Sequence, residues 1–197
     1  VGVHDGHQDG VDGDSLLHIA GSHPAGGVDG QPCDPVSLAL ENPAPDVTGA
    51  AGLNQVPDFI ARVRWEPERV RGPLRLVQGI GHVQVGAIVR QVRAEPADAP
   101  NTTVSTGGLG FNVSGRMKPA VWKDQDDLTW AVYLGKGMGS YITDLRTLGG
   151  QDGVYNPSTN KVEALPVFAA YVGSQHWWSD TMRSTATFGW VYVDNLD

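Results

Sequence analysis

The stretch MRSTATFGWVYV, residues 182–193, decides the fold because its apolar and polar residues alternate one by one. One row holds Ala186, Phe188, Trp190 and Tyr192, and the other holds Arg183, Thr185, Thr187 and Gly189. A period of two is that of a β-strand, in which successive side chains point to opposite faces. The stretch therefore predicts a strand with one apolar face and one polar face.

The same alternation recurs through most of the chain upstream of this stretch. Further strands are predicted at residues 61–66, 82–90, 109–118, 128–135 and 167–177. In the second of these, Ile88 interrupts an otherwise polar row. Because the usable period is two throughout rather than 3.6, the sequence predicts an all-β, antiparallel fold.

The connections between these strands are of two kinds. Residues 178–181 predict a tight hairpin and residues 123–127 a brief link, whereas residues 94–108 and 149–164 predict long polar loops. Short turns at one end and long loops at the other are typical of an up-and-down barrel in an outer membrane. A soluble β-sandwich has the same alternation. Its apolar rows face a protein core and its polar rows face water, whereas in a membrane barrel the apolar rows face lipid and the polar rows face the lumen.

The charge is divided unevenly along the chain. The net charge is −8, but residues 1–61 hold nine acidic residues and no Lys or Arg, whereas residues 62–197 hold 14 Lys and Arg against 13 Asp and Glu. Neither part has the basic excess of a nucleic-acid binder, so no nucleic-acid partner is expected. The single Cys33 excludes an intramolecular disulfide and a Cys-rich zinc site.

Four stretches resemble the DcaP-like trimeric porins of Gram-negative outer membranes. The stretches are residues 37–43, 57–64, 123–141 and 175–185, and the last two are the most specific. The resemblance covers about residues 36–197, and residues 1–35 show none. The domain division that follows is a disordered or mistranslated leader at 1–35 and a partial porin barrel at 36–197.

The resemblance implies a transmembrane barrel of 16 strands, assembled as a homotrimer in the cell outer membrane, in contact with its lipid. Such a barrel passes small anionic solutes such as dicarboxylates by passive diffusion, without enzymatic activity and without a cofactor. At 9–11 residues per strand, about 160 residues supply only about six to eight strands. We therefore expect the chain to be an internal fragment of a porin, and the sequence does not establish whether such a fragment folds alone.

The candidate pore-lining cations share the polar rows. They are Arg62, Arg64, Arg90, Arg116, Lys118 and Arg183. Guanidinium groups bind carboxylates and phosphates in a bidentate way, and rings of Arg and Lys select anions in pores. The alternative for each of them is a solvated side chain paired with a neighbouring acid such as Glu66.

Other functional patterns are weaker. Asp and His side chains at residues 4–14 offer metal ligands, but without the spacing of a calcium loop. The glycines of GKGMG, residues 135–139, lack the order of a phosphate-binding loop and indicate strand curvature or close packing instead. A soluble β-sandwich that binds carbohydrate through Trp177, Trp178 and Trp190 remains the alternative to the porin.

Overall fold

The computed structural model describes residues 15–21, 36–42, 44–66, 77–119, 122, 125–142, 145 and 148–194. Within these ranges the chain forms twelve strands and one short 3-10 helix at Gly139–Tyr141. The strands are β1 (Ser15–Gly21), β2 (Val36–Glu41), β3 (Val47–Thr48), β4 (Ala50–Gly52), β5 (Asp58–Trp65), β6 (Val77–Pro96), β7 (Val104–Pro119), β8 (Asp127–Lys136), β9 (Gly153–Asn156), β10 (Lys161–Ala164), β11 (Pro166–Trp177) and β12 (Arg183–Val193).

Nine strands form one antiparallel sheet: eight follow the order β1-β2-β5-β6-β7-β8-β11-β12, and β4 pairs with β6 beside this path. Each inner strand of the eight pairs with its neighbour on either side, so the predicted all-β, up-and-down antiparallel order is confirmed. The five strands predicted between residues 61 and 177 and the final strand are all present, and residues 178–182 close the predicted hairpin. The described part of the sheet is open, with β1 and β12 at its two edges.

Two predicted loops differ from the structure. The loop expected at 94–108 is only residues 97–103, because β6 continues to Pro96 and β7 begins at Val104. The loop expected at 149–164 contains the β9–β10 hairpin, whose first strand also pairs in parallel with β3. Both differences have one cause: Val92, Ala94, Val104, Tyr155 and Val162 pack together and bury residues of these segments.

Residues 1–35, which the sequence predicts to be a leader, contain one described element, β1. β1 pairs with β2 along most of its length, so part of residues 1–35 extends the sheet. The division of the chain at residue 35 stays a prediction. The metal hypothesis at residues 4–14 lies outside the described residues.

Register divides the side chains of the large sheet into two faces. Opposed residues of paired strands lie on the same face, and the chain of partners Ala87, Phe111, Leu134, Phe168 and Tyr192 runs across five strands. We call this side the apolar face. Its exposed large side chains are Val36, Leu38, Phe59, Val63, Trp65, Val85, Val89, Leu109, Phe111, Leu134, Val172, Phe188, Trp190 and Tyr192.

The opposite side, which we call the polar face, carries the other alternating row. Partners on this face include Arg62 with Gly86 and Gly86 with Asn112. The small sheet of β3, β9 and β10 covers the end of β6 and β7 on this side, because Val92 and Ala94 belong to its row. No helix in the described part of the chain is long and apolar enough to span a bilayer.

Candidate functional site

A segment between β8 and β9 folds over the polar face. This covering segment, described at residues 137–142, 145 and 148–152, brings Met138 and Leu145 against Ile88 and Val167 of the sheet. Ile88, which interrupts the polar row in the sequence, is therefore buried beneath the segment and only 5% exposed. Ile88 and Val167 thus form a small apolar patch on the polar face, beneath the segment.

Glycines permit the chain to turn back onto the sheet. Gly137 has φ +68°, in the left-handed region that disfavours other residues. At Gly139, a Cβ atom would lie 2.5 Å from the carbonyl oxygen of Gln151, so only glycine allows the two backbones to approach. The interpretation of GKGMG as a close-packing sequence is confirmed.

Arg90 joins the covering segment to the sheet. It is 4% exposed, and its Nη1 donates to the Gly137 carbonyl and to Asp152 Oδ1, each at 3.0 Å, and to Ser140 Oγ at 2.8 Å. Its Nε forms an ion pair with Asp58 Oδ2 at 3.0 Å. One buried guanidinium thus lies between two buried carboxylates, one from β5 and one from the covering segment.

Tyr141 and Asp152 complete this cluster. The Tyr141 hydroxyl donates to Asp58 Oδ2 at 2.8 Å, and the Arg90 guanidinium lies 5.1 Å from the centre of the Tyr141 ring. Burial and the hydrogen bond to Asp58 raise the pKa of Tyr141, so the hydroxyl stays protonated as a donor. Asp152 also accepts from the backbone nitrogens of Asp46 and Ser140, both at 2.9 Å.

Arg62 has a different environment from Arg90. Its Nε donates to Ser37 Oγ at 2.8 Å, across the β2–β5 pair. Within the described residues, no carboxylate forms an ion pair with Arg62. Its positive charge is therefore not compensated by a neighbouring acid in that part of the chain.

The other predicted cations also lie on the polar face, with varied partners. Arg64 pairs with Glu66 at 2.5 Å. Arg116 makes two hydrogen bonds to Asp127. Arg183 lies 5.2 Å from the centre of the Trp177 ring, and Lys118 lies near the end of β7.

The six cations predicted from the sequence thus share a face but differ in availability to a solute. Arg90 departs from the prediction, because it is buried and its charge is compensated by Asp58 and Asp152. Sequence reasoning missed these two acids, Ser140 and Tyr141. The one sequence signal for them is Ile88, because an apolar residue in a polar row indicates that another part of the chain packs over it.

The chain matches no family model, curated protein or solved structure. The porin resemblance therefore stays a prediction from four short stretches. Within the described residues, no group of three or more His, Cys, Asp or Glu side chains is placed to hold a metal ion. The site is thus characterised by its own geometry: a polar face, a covering segment and Arg62, which forms no ion pair with an acid among the described residues.

A third buried acid, Asp126, lies at the opposite end of the sheet. Asp126 is fully buried; its Oδ1 accepts from the backbone nitrogen of Trp177 at 2.8 Å, and its Oδ2 lies 2.7 Å from His176 Nδ1. His176 also contacts Trp178 edge to face, with ring centres 4.4 Å apart. Asp126 therefore fixes the end of β11 just before the β11–β12 hairpin.

We expect Asp126→Ala to destabilise the folded chain by about 1–3 kcal/mol, because it leaves the part-buried backbone N–H of Trp177 without its acceptor. Urea unfolding in detergent, followed by tryptophan fluorescence, measures the change. The control is Asp180→Ala, an exposed acid in the neighbouring hairpin, which should alter the free energy of unfolding by less than about 0.5 kcal/mol. Equal effects of the two changes would contradict the anchoring role of Asp126.

Proposed function

We propose that this chain forms part of the wall of an outer-membrane porin, a passive diffusion channel for small anionic solutes. The apolar face contacts lipid, the polar face lines a water-filled lumen, and the covering segment narrows that lumen. The observation that carries the proposal is the exposed apolar face. The 16 strands and the homotrimer belong to the same proposal and rest on the resemblance alone.

The extent of the apolar face supports a lipid contact. Its large side chains range from 36% exposed at Leu38 to 71% at Phe188. Together, the exposed large side chains of the apolar face present on the order of 1,000 Å² of apolar surface. The largest apolar patch on a soluble monomer is about 300–600 Å². A surface of this size is unfavourable in water and favourable in a bilayer.

The height and borders of this face also fit a membrane. On β7 the apolar row runs from Leu109 to Met117, roughly 26 Å along the strand at about 3.3 Å per residue, which gives a height of roughly 20 Å at a strand tilt of about 40°. Outer-membrane barrels carry an apolar band about 25 Å tall, bordered by aromatic girdles. Trp65 and Phe188 lie toward the hairpin end, and Phe59 lies toward the covered end.

The polar face supports the choice of an anionic solute. Arg62 carries an uncompensated charge there, and Arg183 contacts an aromatic ring rather than an acid in the described residues. A cation in a partly dehydrated lumen attracts anions and repels other cations. Arg64 and Arg116 contribute less, because each is already paired with an acid.

The soluble β-sandwich remains the alternative, and one observation bears on it. A sandwich buries its apolar rows between two sheets. Here the second, three-stranded sheet packs against the polar face of β6 and β7, and nothing in the described residues covers the apolar face. A lipid environment accounts for that exposure more directly than a missing second layer does.

Vesicle flotation tests the membrane contact. The chain, folded from urea in the presence of phosphatidylcholine vesicles, should float with the lipid and resist extraction by alkaline carbonate. The control is the same chain diluted into buffer without lipid, which should aggregate through its apolar face. A monodisperse chain in plain buffer that fails to float would refute the porin and favour the sandwich.

Planar-bilayer recording tests the solute class. In a potassium chloride gradient, channels that contain this sheet should show an anion-selective reversal potential. Changing Arg62 and Arg64 together to Gln should move that potential toward the value of an unselective pore. An unchanged reversal potential would contradict the pore-lining role of these two residues.

A further inference from the structure

A groove on the polar face lies between Arg62 and the covering segment. It encloses about 200 Å³ and opens toward the space above the polar face. Its polar border includes Arg62, Asn112 and Tyr133, and its apolar part includes Ile60, Ile88 and Met138. The groove thus has a cation at one side and a hydrocarbon surface at the other.

Two glycines leave the space that these side chains occupy. A Cβ atom at Gly110 would lie 2.4 Å from the Met138 methyl carbon, and one at Gly86 would lie 2.1 Å from Asn112 Oδ1. Bare backbone at these two positions therefore lets Met138 and Asn112 lie flat against the sheet. The wall of the groove is built from the sheet and from the covering segment together.

We propose that this groove binds amphipathic monocarboxylates, such as an aromatic or short branched acid, in preference to dicarboxylates. The inference rests on the porin function and names the solute class of the same pore. Arg62 takes the carboxylate through its terminal nitrogens, while its Nε stays with Ser37. Ile60, Ile88 and Met138 take the hydrocarbon part.

The size and polarity of the groove select this class. A cavity of about 150 Å³ lined by apolar side chains holds a benzene ring, so about 200 Å³ admits a ring with one carboxylate. A second carboxylate would lie against Ile88 and Met138, where burial of an unpaired charge is strongly unfavourable. The only carboxylate-rich cluster nearby, around Arg90, has its cation already compensated among the described residues.

The Met138 methyl group supplies a direct probe of occupancy. The chain has three methionines; Met138 lines the groove, whereas Met182 lies in the exposed hairpin segment and serves as an internal control. The chain is labelled with ¹³C at its methionine methyl groups, folded in detergent micelles and titrated with benzoate, succinate and benzyl alcohol. Met138→Leu identifies the resonance.

Benzoate should shift the Met138 methyl resonance in a saturable way and leave that of Met182 in place. Arg62→Gln should raise the dissociation constant for benzoate by about 10- to 150-fold, since a charge-assisted hydrogen bond contributes about 1.5–3 kcal/mol. Benzyl alcohol, which has the ring without the charge, should bind Arg62→Gln and the unchanged chain equally. The matched control is Arg93→Gln, which removes the same charge from a residue bonded to Gln55 outside the groove, and it should leave benzoate binding unchanged.

Three results would overturn the proposal: no shift at Met138, an unchanged dissociation constant in Arg62→Gln, or succinate binding as tightly as benzoate. Each can occur while the reconstituted channel still conducts anions, and the porin function would then stand without this solute class. Conversely, a chain that binds benzoate but neither floats with vesicles nor conducts ions would support the binding site in the groove and refute the porin function.

Discussion

Arg90→Met should destabilise the folded chain by about 3–5 kcal/mol, the usual effect of removing one partner from a buried ion pair. The change leaves the carboxylates of Asp58 and Asp152 buried, 3% and 0% exposed, without their shared cation. It also removes donors from the Gly137 carbonyl and Ser140 Oγ. Urea unfolding in lipid vesicles gives the free energy.

The covering segment should respond before the sheet does. Leu148 is 83% exposed within it, so cleavage near this residue by chymotrypsin reports release of the segment from the polar face. In Arg90→Met we expect faster cleavage there while the vesicle-bound sheet remains intact. If the cleavage rate is unchanged and the unfolding free energy changes by less than about 1 kcal/mol, Arg90 does not hold the covering segment on the sheet.

Two controls separate charge from packing in this cluster. Arg64→Met removes an exposed pair with Glu66, which contributes only about 0–1 kcal/mol. The triple change Arg90→Met, Asp58→Asn and Asp152→Asn removes all three charges and should recover most of the lost stability. Failure of the triple change to recover it would show that the hydrogen bonds, rather than the uncompensated charges, carry the effect.

Val85→Arg should destabilise the membrane-bound form by about 2–4 kcal/mol, the effect of a cation near the middle of a lipid-facing band. Val85 is 48% exposed on the apolar face, and its partner Val113 lies midway along the apolar row of β7. The size of the destabilisation distinguishes a lipid environment from water. In water, a charge at an exposed site changes stability by less than about 0.5 kcal/mol.

The adjacent Gln84 provides the matched control. It lies on the polar face, so Gln84→Arg adds the same charge one residue away on the opposite side of the sheet. We expect Gln84→Arg to float with vesicles like the unchanged chain, while Val85→Arg shows a reduced floating fraction and a lower urea midpoint. Equal behaviour of the two variants would exclude lipid as the partner of the apolar face.

Much of the sheet is predictable because its signal is local. Alternation within β5, β7 and β12 is visible in eight to sixteen consecutive residues, and an antiparallel neighbour needs only a short turn. The division into an apolar and a polar face follows directly from the same alternation. The pairing order therefore needed no knowledge of distant contacts.

The buried cluster is not predictable in this way. Asp152 is 62 residues from Arg90 and belongs to a segment that the sequence presents as a polar loop. Alternation places Arg90 on the polar face but does not reveal that the chain returns to cover it. For the same reason, alternation could not distinguish Arg62, which bonds only a serine among the described residues, from Arg90, which pairs with two buried acids.

The parallel contact between β3 and β9 has a kinetic consequence. Most strands of the large sheet pair with a neighbour in sequence, whereas the two hydrogen bonds between Asp46 and Asp152, one of them between backbone atoms, join residues 106 positions apart. The entropy of closing a loop grows with its length, and contacts between distant residues form slowly. The large sheet should therefore assemble first as successive hairpins, and docking of the covering segment on the polar face should be among the last steps of folding.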